Sequence, residues 1–341
     1  MISRYFEING QLLRVTSLDH ELLDSLGSFF YPYITSHDET YAVEHSYEVS
    51  VNIEAKLFAH LKESLPDSPD ELLTTNLKHD TAYQLRCFSS ESGETTVIED
   101  EPLKLFYVTC GPRRTKLIGT PGSRIRTGLL RLLRAAWMMG QSGLIVHSSV
   151  VEKHGRGVVI VGDKYAGKTT SLLKLCTQRN YSIVANDRCL LSCDGSRGPR
   201  AVGIPTVINL RPATLKPFPE LENLQTLKMH GVYDLARALS IDIKAEVPVS
   251  VIVFLGYDRA CSQPSYRRLS NEEAAQMLSP HLFSGQEYDW VRLLKLGNVP
   301  ANKGESVPLS GISRFQLISN ENQLDERANL IESWLQRGLK N

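Results

Sequence analysis

Two kinds of hydrophobic pattern divide the chain. Up to residue 118 the apolar positions come in short runs that alternate with polar ones, the period-two signature of half-buried strands. Residues 48–53 alternate this way. Tyr83–Phe88, Thr95–Ile98, Leu103–Thr109 and Thr115–Ile118 follow as four strands separated by turn residues, which predicts an antiparallel sheet. Residues 54–63 have helical spacing, and 64–80, opening on Ser-Leu-Pro-Asp-Ser-Pro-Asp, read as a linker. After Gly119-Thr-Pro-Gly122 the spacing predicts a helix over 123–139, with Leu129, Leu130, Leu133 and Trp137 on one stripe.

From 144 onward the apolar runs become continuous and β-branched, as in strands covered on both faces. Leu144–Glu152, Val158–Val161, Tyr181–Ala185 and Pro248–Leu255 are predicted strands, and 170–178, 272–278 and 326–337 predicted helices. The pattern as a whole predicts an α/β protein. A smaller α+β domain occupies residues 1–118, and the α/β core occupies 119–341.

Composition narrows the class. The 341 residues are 42% hydrophobic and 22% charged, the balance of an ordinary soluble globular protein. No 18-residue apolar stretch or signal-like N-terminus is present, so a cytoplasmic protein without a membrane partner is expected. The six cysteines form no C-x-x-C pair, which favours buried reduced thiols over disulfides or zinc. The zero net charge hides an asymmetry. Residues 1–101 carry 19 acidic and 6 basic side chains, whereas 102–151 carry eight bases and no acid. A basic segment of this kind suits an acidic partner or the acidic region of the same chain. The second is expected, because no nucleic-acid-binding module is recognisable and nucleic acid is not expected as a partner.

One motif changes the picture. Gly162-Asp163-Lys164-Tyr165-Ala166-Gly167-Lys168-Thr169 fits G-x-x-x-x-G-K-[ST], and Thr170 continues it. The two glycines let backbone N–H groups converge on an anion, Lys168 reaches the β- and γ-phosphates, and the Thr169 hydroxyl holds Mg²⁺. A strand runs into the motif and a helix leaves it, so the helix N-terminus adds its dipole. An acid at the end of a neighbouring strand is the usual second metal partner, and Asp187 follows the apolar run 183–185. His147, in the strand before the loop strand, would approach the loop if 153–157 made a tight antiparallel return.

From His147 to Asp187 the chain resembles the catalytic domain of HPr kinase/phosphorylase and related bacterial kinases, including those of lasso-peptide pathways. The shared features are a His-containing strand, a turn, the loop Gly162-Asp163…Gly167-Lys168-Thr169, and Asn186-Asp187-Arg188 where the family has Asp-Asp-Arg. The resemblance spans roughly residues 144–215. It implies a phosphate-loop core of the HPr kinase and phosphoenolpyruvate carboxykinase type, a mixed sheet with flanking helices, together with ATP or GTP and Mg²⁺, a role for His147, and a homo-oligomer. Arg188 and Arg211, the latter in Gly203-Ile-Pro-Thr-Val-Ile-Asn-Leu-Arg211-Pro, become candidates for stabilising transition-state charge. There are departures. Asn186 stands where the family has the aspartate credited as base, Thr170 where a glutamate is typical, and no glycine-rich signature of phosphorolysis follows.

The expected activity is therefore Mg²⁺- and ATP-dependent transfer of a γ-phosphoryl group to a hydroxyl, a serine of a protein or peptide in the first instance. Lys168, His147, Asp187 and Asn186 form the candidate catalytic set, Gly162–Thr170 the nucleotide loop, and Thr169 and Asp187 the metal pair. The acidic N-terminal domain would recruit the acceptor. Two alternatives share this core. One is a nucleotide-binding regulator without turnover, which Asn186 favours. The other is a kinase of a small-molecule hydroxyl.

Overall fold

Val158, Val159, Ile160 and Val161 are all fully buried, and the alternate residues enter two different hydrophobic clusters. A strand apolar on both faces needs cover on both, and this dictates the architecture around it. A computed structural model describes residues 1–8, 11–32, 35–37, 47–78, 81–111, 113–138, 143–194, 198–206, 208, 210–226, 231–283 and 309–337. It divides into two compact units. Met1–Gly27 with Ile34–Gln141 belong to the first; Ser28–Tyr33, Ser142–Phe283 and Asn302–Asn341 form the second. Both are mixed α/β, with mixed sheets and flanking helices. Among the described residues no helix is long and apolar enough to cross a membrane.

The first unit is built on strands β1 (Ile2–Ile8), β2 (Gln11–Ser17), β3 (Thr35–His37), β4 (Tyr47–Ile53), β5 (Glu71–Lys78), β6 (Thr81–Ser89), β7 (Thr95–Asp100), β8 (Leu105–Cys110) and β9 (Arg114–Gly119). Helices α1 (His20–Phe30), α2 (Ala55–Ser64) and α3 (Ile125–Met138) accompany them. The strand order is β3-β1-β2-β4-β9-β8-β7-β6-β5, with β2–β4 and β4–β9 parallel. The antiparallel run β6 to β9 matches expectation. The presumed linker differs from it, because Glu71–Lys78 pairs along β6 as an edge strand. The division at 141 also lies beyond the expected 118. Gly128 has no side chain to hold α3 off the sheet, and a Cβ there would come within 2.6 Å of Leu105. The basic segment meets acids within this unit. Arg131 Nη1 lies 2.5 Å from Asp100, and Arg114 Nε lies 3.2 Å from Glu48. The Trp137 side chain and residue 139 lie outside the described residues.

The second unit holds β10 (Leu144–Val146), β11 (Ser148–Lys153), β12 (Arg156–Gly162), α4 (Lys168–Arg179), β13 (Ser182–Ala185), β14 (Cys189–Asp194), β15 (Gly198–Gly203), α5 (Pro212–Leu215), α6 (Val232–Leu239), β16 (Glu246–Tyr257), β17 (Ser265–Arg268), α7 (Asn271–Leu278), β18 (Ser313–Ser319) and α8 (Leu324–Arg337). The order is β10-β14-β15-β16-β12-β11-β13, with β18 also pairing with β16 and with β17. The centre is parallel (β12, β16, β18) and its flanks are antiparallel. One face packs on α4, α6 and α8, the other on α7. Helix α8 is tied to the β11–β12 hairpin by Lys153 Nζ, 2.6 Å from Glu332, and by Arg156, which donates to the Leu335 carbonyl. Its Trp334, 2% exposed, stacks on Phe315 at 4.1 Å.

Trp334→Ala would remove this stacked plate and open a cavity against the central sheet. A loss of about 3–5 kcal/mol is expected, read as a lowered denaturant midpoint for the transition that includes the second unit.

Candidate functional site

The site follows from strand direction. β11 runs antiparallel to both β12 and β13, with Ser148 opposite Val161 and Val150 opposite Ala185. The start of β11 and the ends of β12 and β13 therefore share one edge of the sheet. That edge collects His147, the loop after Gly162, and Asn186-Asp187-Arg188.

Gly162 is required by crowding: a Cβ would lie 2.6 Å from the Leu255 carbonyl oxygen on β16. The loop then turns tightly, with Ala166 N–H donating to Asp163 O at 3.1 Å, and Gly167 enters α4 in the left-handed region at φ +95°. Lys168 folds back across the loop. Its ammonium donates to the carbonyls of Gly162 (2.6 Å) and Asp163 (3.1 Å) and is 8% exposed. Burial pushes its pKa down to about 8, with Asp187 and Asp163 pulling the other way. Tyr165 stands on the outside, 74% exposed, with the Arg211 guanidinium 4.9 Å and the Lys164 ammonium 5.7 Å from its ring centre. Arg211 thus reaches the loop by way of Tyr165.

The Thr169 hydroxyl meets Asn186 and not Asp187. Thr169 Oγ1 and Ser149 Oγ both donate to Asn186 Oδ1 at 3.2 Å, and Thr206 Oγ1 donates to the Asn186 carbonyl at 2.7 Å. One amide thereby ties the loop helix to β11 and to the segment after β15. Asp187 adopts φ +80°, which aspartate tolerates better than most residues. Its carboxylate faces Nδ1 of His147 at 3.7 Å and Nε of Arg188 at 3.5 Å. Arg188 lies over the Phe283 ring at 4.1 Å.

His147 is not inside a strand. The predicted strand 144–152 is broken there, and its two halves pair with different neighbours, β10 with β14 and β11 with β12 and β13. The reason lies in the backbone bonding. His147 N–H donates to the His281 carbonyl at 2.8 Å, and Ser148 N–H donates to the Asp187 carbonyl at 3.2 Å. The break frees the imidazole from sheet packing and aims it at Asp187. His281, just beyond α7, also approaches the loop, with Nε2 4.0 Å from Asp163. Burial lowers its pKa and Lys168 adds to the lowering, while Asp163 opposes it.

Sequence reasoning missed Ser149, Thr206, His281, Phe283 and Arg327. Only Arg327 left a signal, as a charge on the apolar stripe Leu324, Ala328, Ile331, Leu335 of α8. The oxygen set suits a hard cation. Thr169 Oγ1 and Asn186 Oδ1 stand 3.2 Å apart, near the ~3 Å that separates adjacent ligands of an octahedral ion with ~2.1 Å bonds. Among the described residues no three His, Cys, Asp or Glu side chains converge as a metal cage. No protein-family model matches the chain, and no curated protein sequence matches it.

The depressed pKa of Lys168 gives a pH signature. Below about pH 8 the folded protein carries the buried ammonium and its full desolvation cost. As the pH rises from about 8 toward 10.5 the folded state sheds the proton before the unfolded state does, and the cost fades. Wild type is therefore expected to gain about 2 kcal/mol relative to Lys168→Met over that window, measured as the difference between their unfolding free energies at each pH.

Proposed function

We propose that the chain is a phosphotransferase of the HPr-kinase-like kind, which moves the γ-phosphoryl group of ATP to a hydroxyl, foremost a serine of a protein or peptide. The observation that carries this reading is the His147–Asp187 pair at 3.7 Å, on the same sheet edge as the glycine loop. Phosphoryl transfer needs a phosphate cradle, oxygen donors for a cation and a base for the acceptor, and little else.

In this reading the loop N–H groups and Lys168 hold the β- and γ-phosphates. Lys168 exchanges its carbonyl partners for phosphate oxygens, whose negative charge favours its ammonium form. Thr169, Asn186 and Asp187 are the side chains that would hold Mg²⁺, whose charge would offset that of the phosphate oxygens. The His147 imidazole takes the acceptor proton as the new O–P bond forms and the bond to the β-phosphate bridging oxygen breaks. Asp187 keeps the ring oriented and stabilises the imidazolium, the division of labour familiar from His–Asp pairs. Asn186 cannot accept a proton, so it serves as a neutral oxygen donor and a clamp on Thr169. Arg188 holds Asp187 from the other side, and Arg211 with Tyr165 borders the loop mouth.

The neutral Asn186 favours a second reading, in which nucleotide is bound as a regulatory ligand and never turned over. ATP binding and transfer to a serine-containing peptide library separate the two. Lys168→Ala is expected to abolish ATP binding. His147→Ala and Asp187→Asn should keep binding and slow transfer by about 10²–10⁴-fold. Wild-type protein that binds ATP tightly but transfers no phosphate, with or without Mg²⁺, would overturn the kinase reading and leave the regulatory one.

A further inference from the structure

Arg327 is the most deeply buried cation beside the glycine loop, at 3% exposed. It reaches inward from α8 and stands against the turn that starts α4, where its Nη1 is 2.6 Å from the position a Cβ on Gly167 would occupy. Among the described residues, every hydrogen-bond partner of its side chain is a neutral oxygen. Nε donates to Ser319 Oγ at 3.0 Å, Nη1 to Ser171 Oγ at 3.1 Å, and Nη2 to the Asn320 carbonyl at 3.1 Å. Among the described residues no carboxylate pairs with it, and burial alone pulls its pKa down to about 10. A guanidinium is rarely left this way, because an uncompensated buried charge is costly.

We propose that Arg327 is a positioning residue of the phosphate loop, a buried cation that pre-charges the Gly167 turn for a polyphosphate and acts through that turn without touching the transferred group. The inference rests on the phosphate-binding reading of the loop and adds to it the source of its charge. Neutral oxygens orient and partly solvate the guanidinium but leave its net charge intact, so its field extends into the loop; a carboxylate partner would cancel it. Gly167 permits the approach because it has no side chain. The N-terminus of α4 and the Lys168 ammonium carry the same sign. Three positive contributions therefore sit together around one turn, an arrangement unfavourable when the loop is empty and relieved by a ligand carrying several negative charges. A pyrophosphate moiety fits that requirement better than a singly charged anion.

The test is binding of inorganic pyrophosphate to the full chain in EDTA by calorimetry, for wild type, Arg327→Lys, Arg327→Gln and Lys168→Ala. Thermal unfolding of each ligand-free chain serves as the folding control. The lysine and glutamine variants both keep a polar donor and differ in charge. The lysine variant is expected to bind within about threefold of wild type and the glutamine variant about tenfold more weakly. Should the glutamine variant not fold, Arg327→Met, with an apolar side chain of similar length, supplies the neutral arm. Equal affinity in wild type and the neutral variant overturns the proposal, as does a lysine variant as weak as the neutral one. Failure of the loop reading looks different: wild type does not bind pyrophosphate, or Lys168→Ala binds it as well as wild type. In that case the role given to Arg327 falls with it.

Discussion

The antiparallel placement of β11 between β12 and β13 is the constraint on which the candidate site depends. With Ser148 opposite Val161 and Val150 opposite Ala185, the glycine loop, the Asn186-Asp187 step and His147 must appear at one end of the sheet. A one-residue slip would turn the side chains of β11 to the opposite face and bury polar groups in apolar clusters. The doubly apolar β12 and β16 make such a slip costly. Core packing and site geometry are thus one requirement seen from two sides.

The polar groups at this edge are organised around Asn186. Its side-chain oxygen accepts from two hydroxyls and its carbonyl from a third, so a single buried amide links α4, β11 and the segment following β15. An aspartate there would add a negative charge beside Asp187 and Lys168. The amide keeps the linkage without that charge.

What the sequence made legible was local. The loop, the helix after it, the acid at the end of β13 and the buried strands 158–161 and 248–255 were readable because each is contiguous and carries its own pattern. Long-range features were not. The break at His147 depends on the His281 carbonyl, far along the chain, which accepts from the His147 N–H, and nothing in Leu144–Glu152 announces it. The edge strand Glu71–Lys78 was hidden by its polar Thr-Thr-Asn, since an edge strand need not be apolar. Helix α3 follows Gly119-Thr-Pro-Gly122, a turn signal that reads as a domain boundary, yet it falls in the first compact unit, where Gly128 lets it lie close to Leu105. Arg327 could be suspected only as a charge out of place on an apolar stripe.

The contact between Arg327 and the loop helix joins residues 156 positions apart, Ser171 and Arg327. The hairpin and helix around the glycine loop precede, in chain order, the strand and helix that carry Ser319 and Arg327, so a nascent chain makes them first. Until that helix emerges, the Gly167 turn lacks the buried guanidinium that stands against it. Under the role proposed for Arg327, the loop's affinity for a polyanion would rise by about tenfold once β18 and α8 have docked.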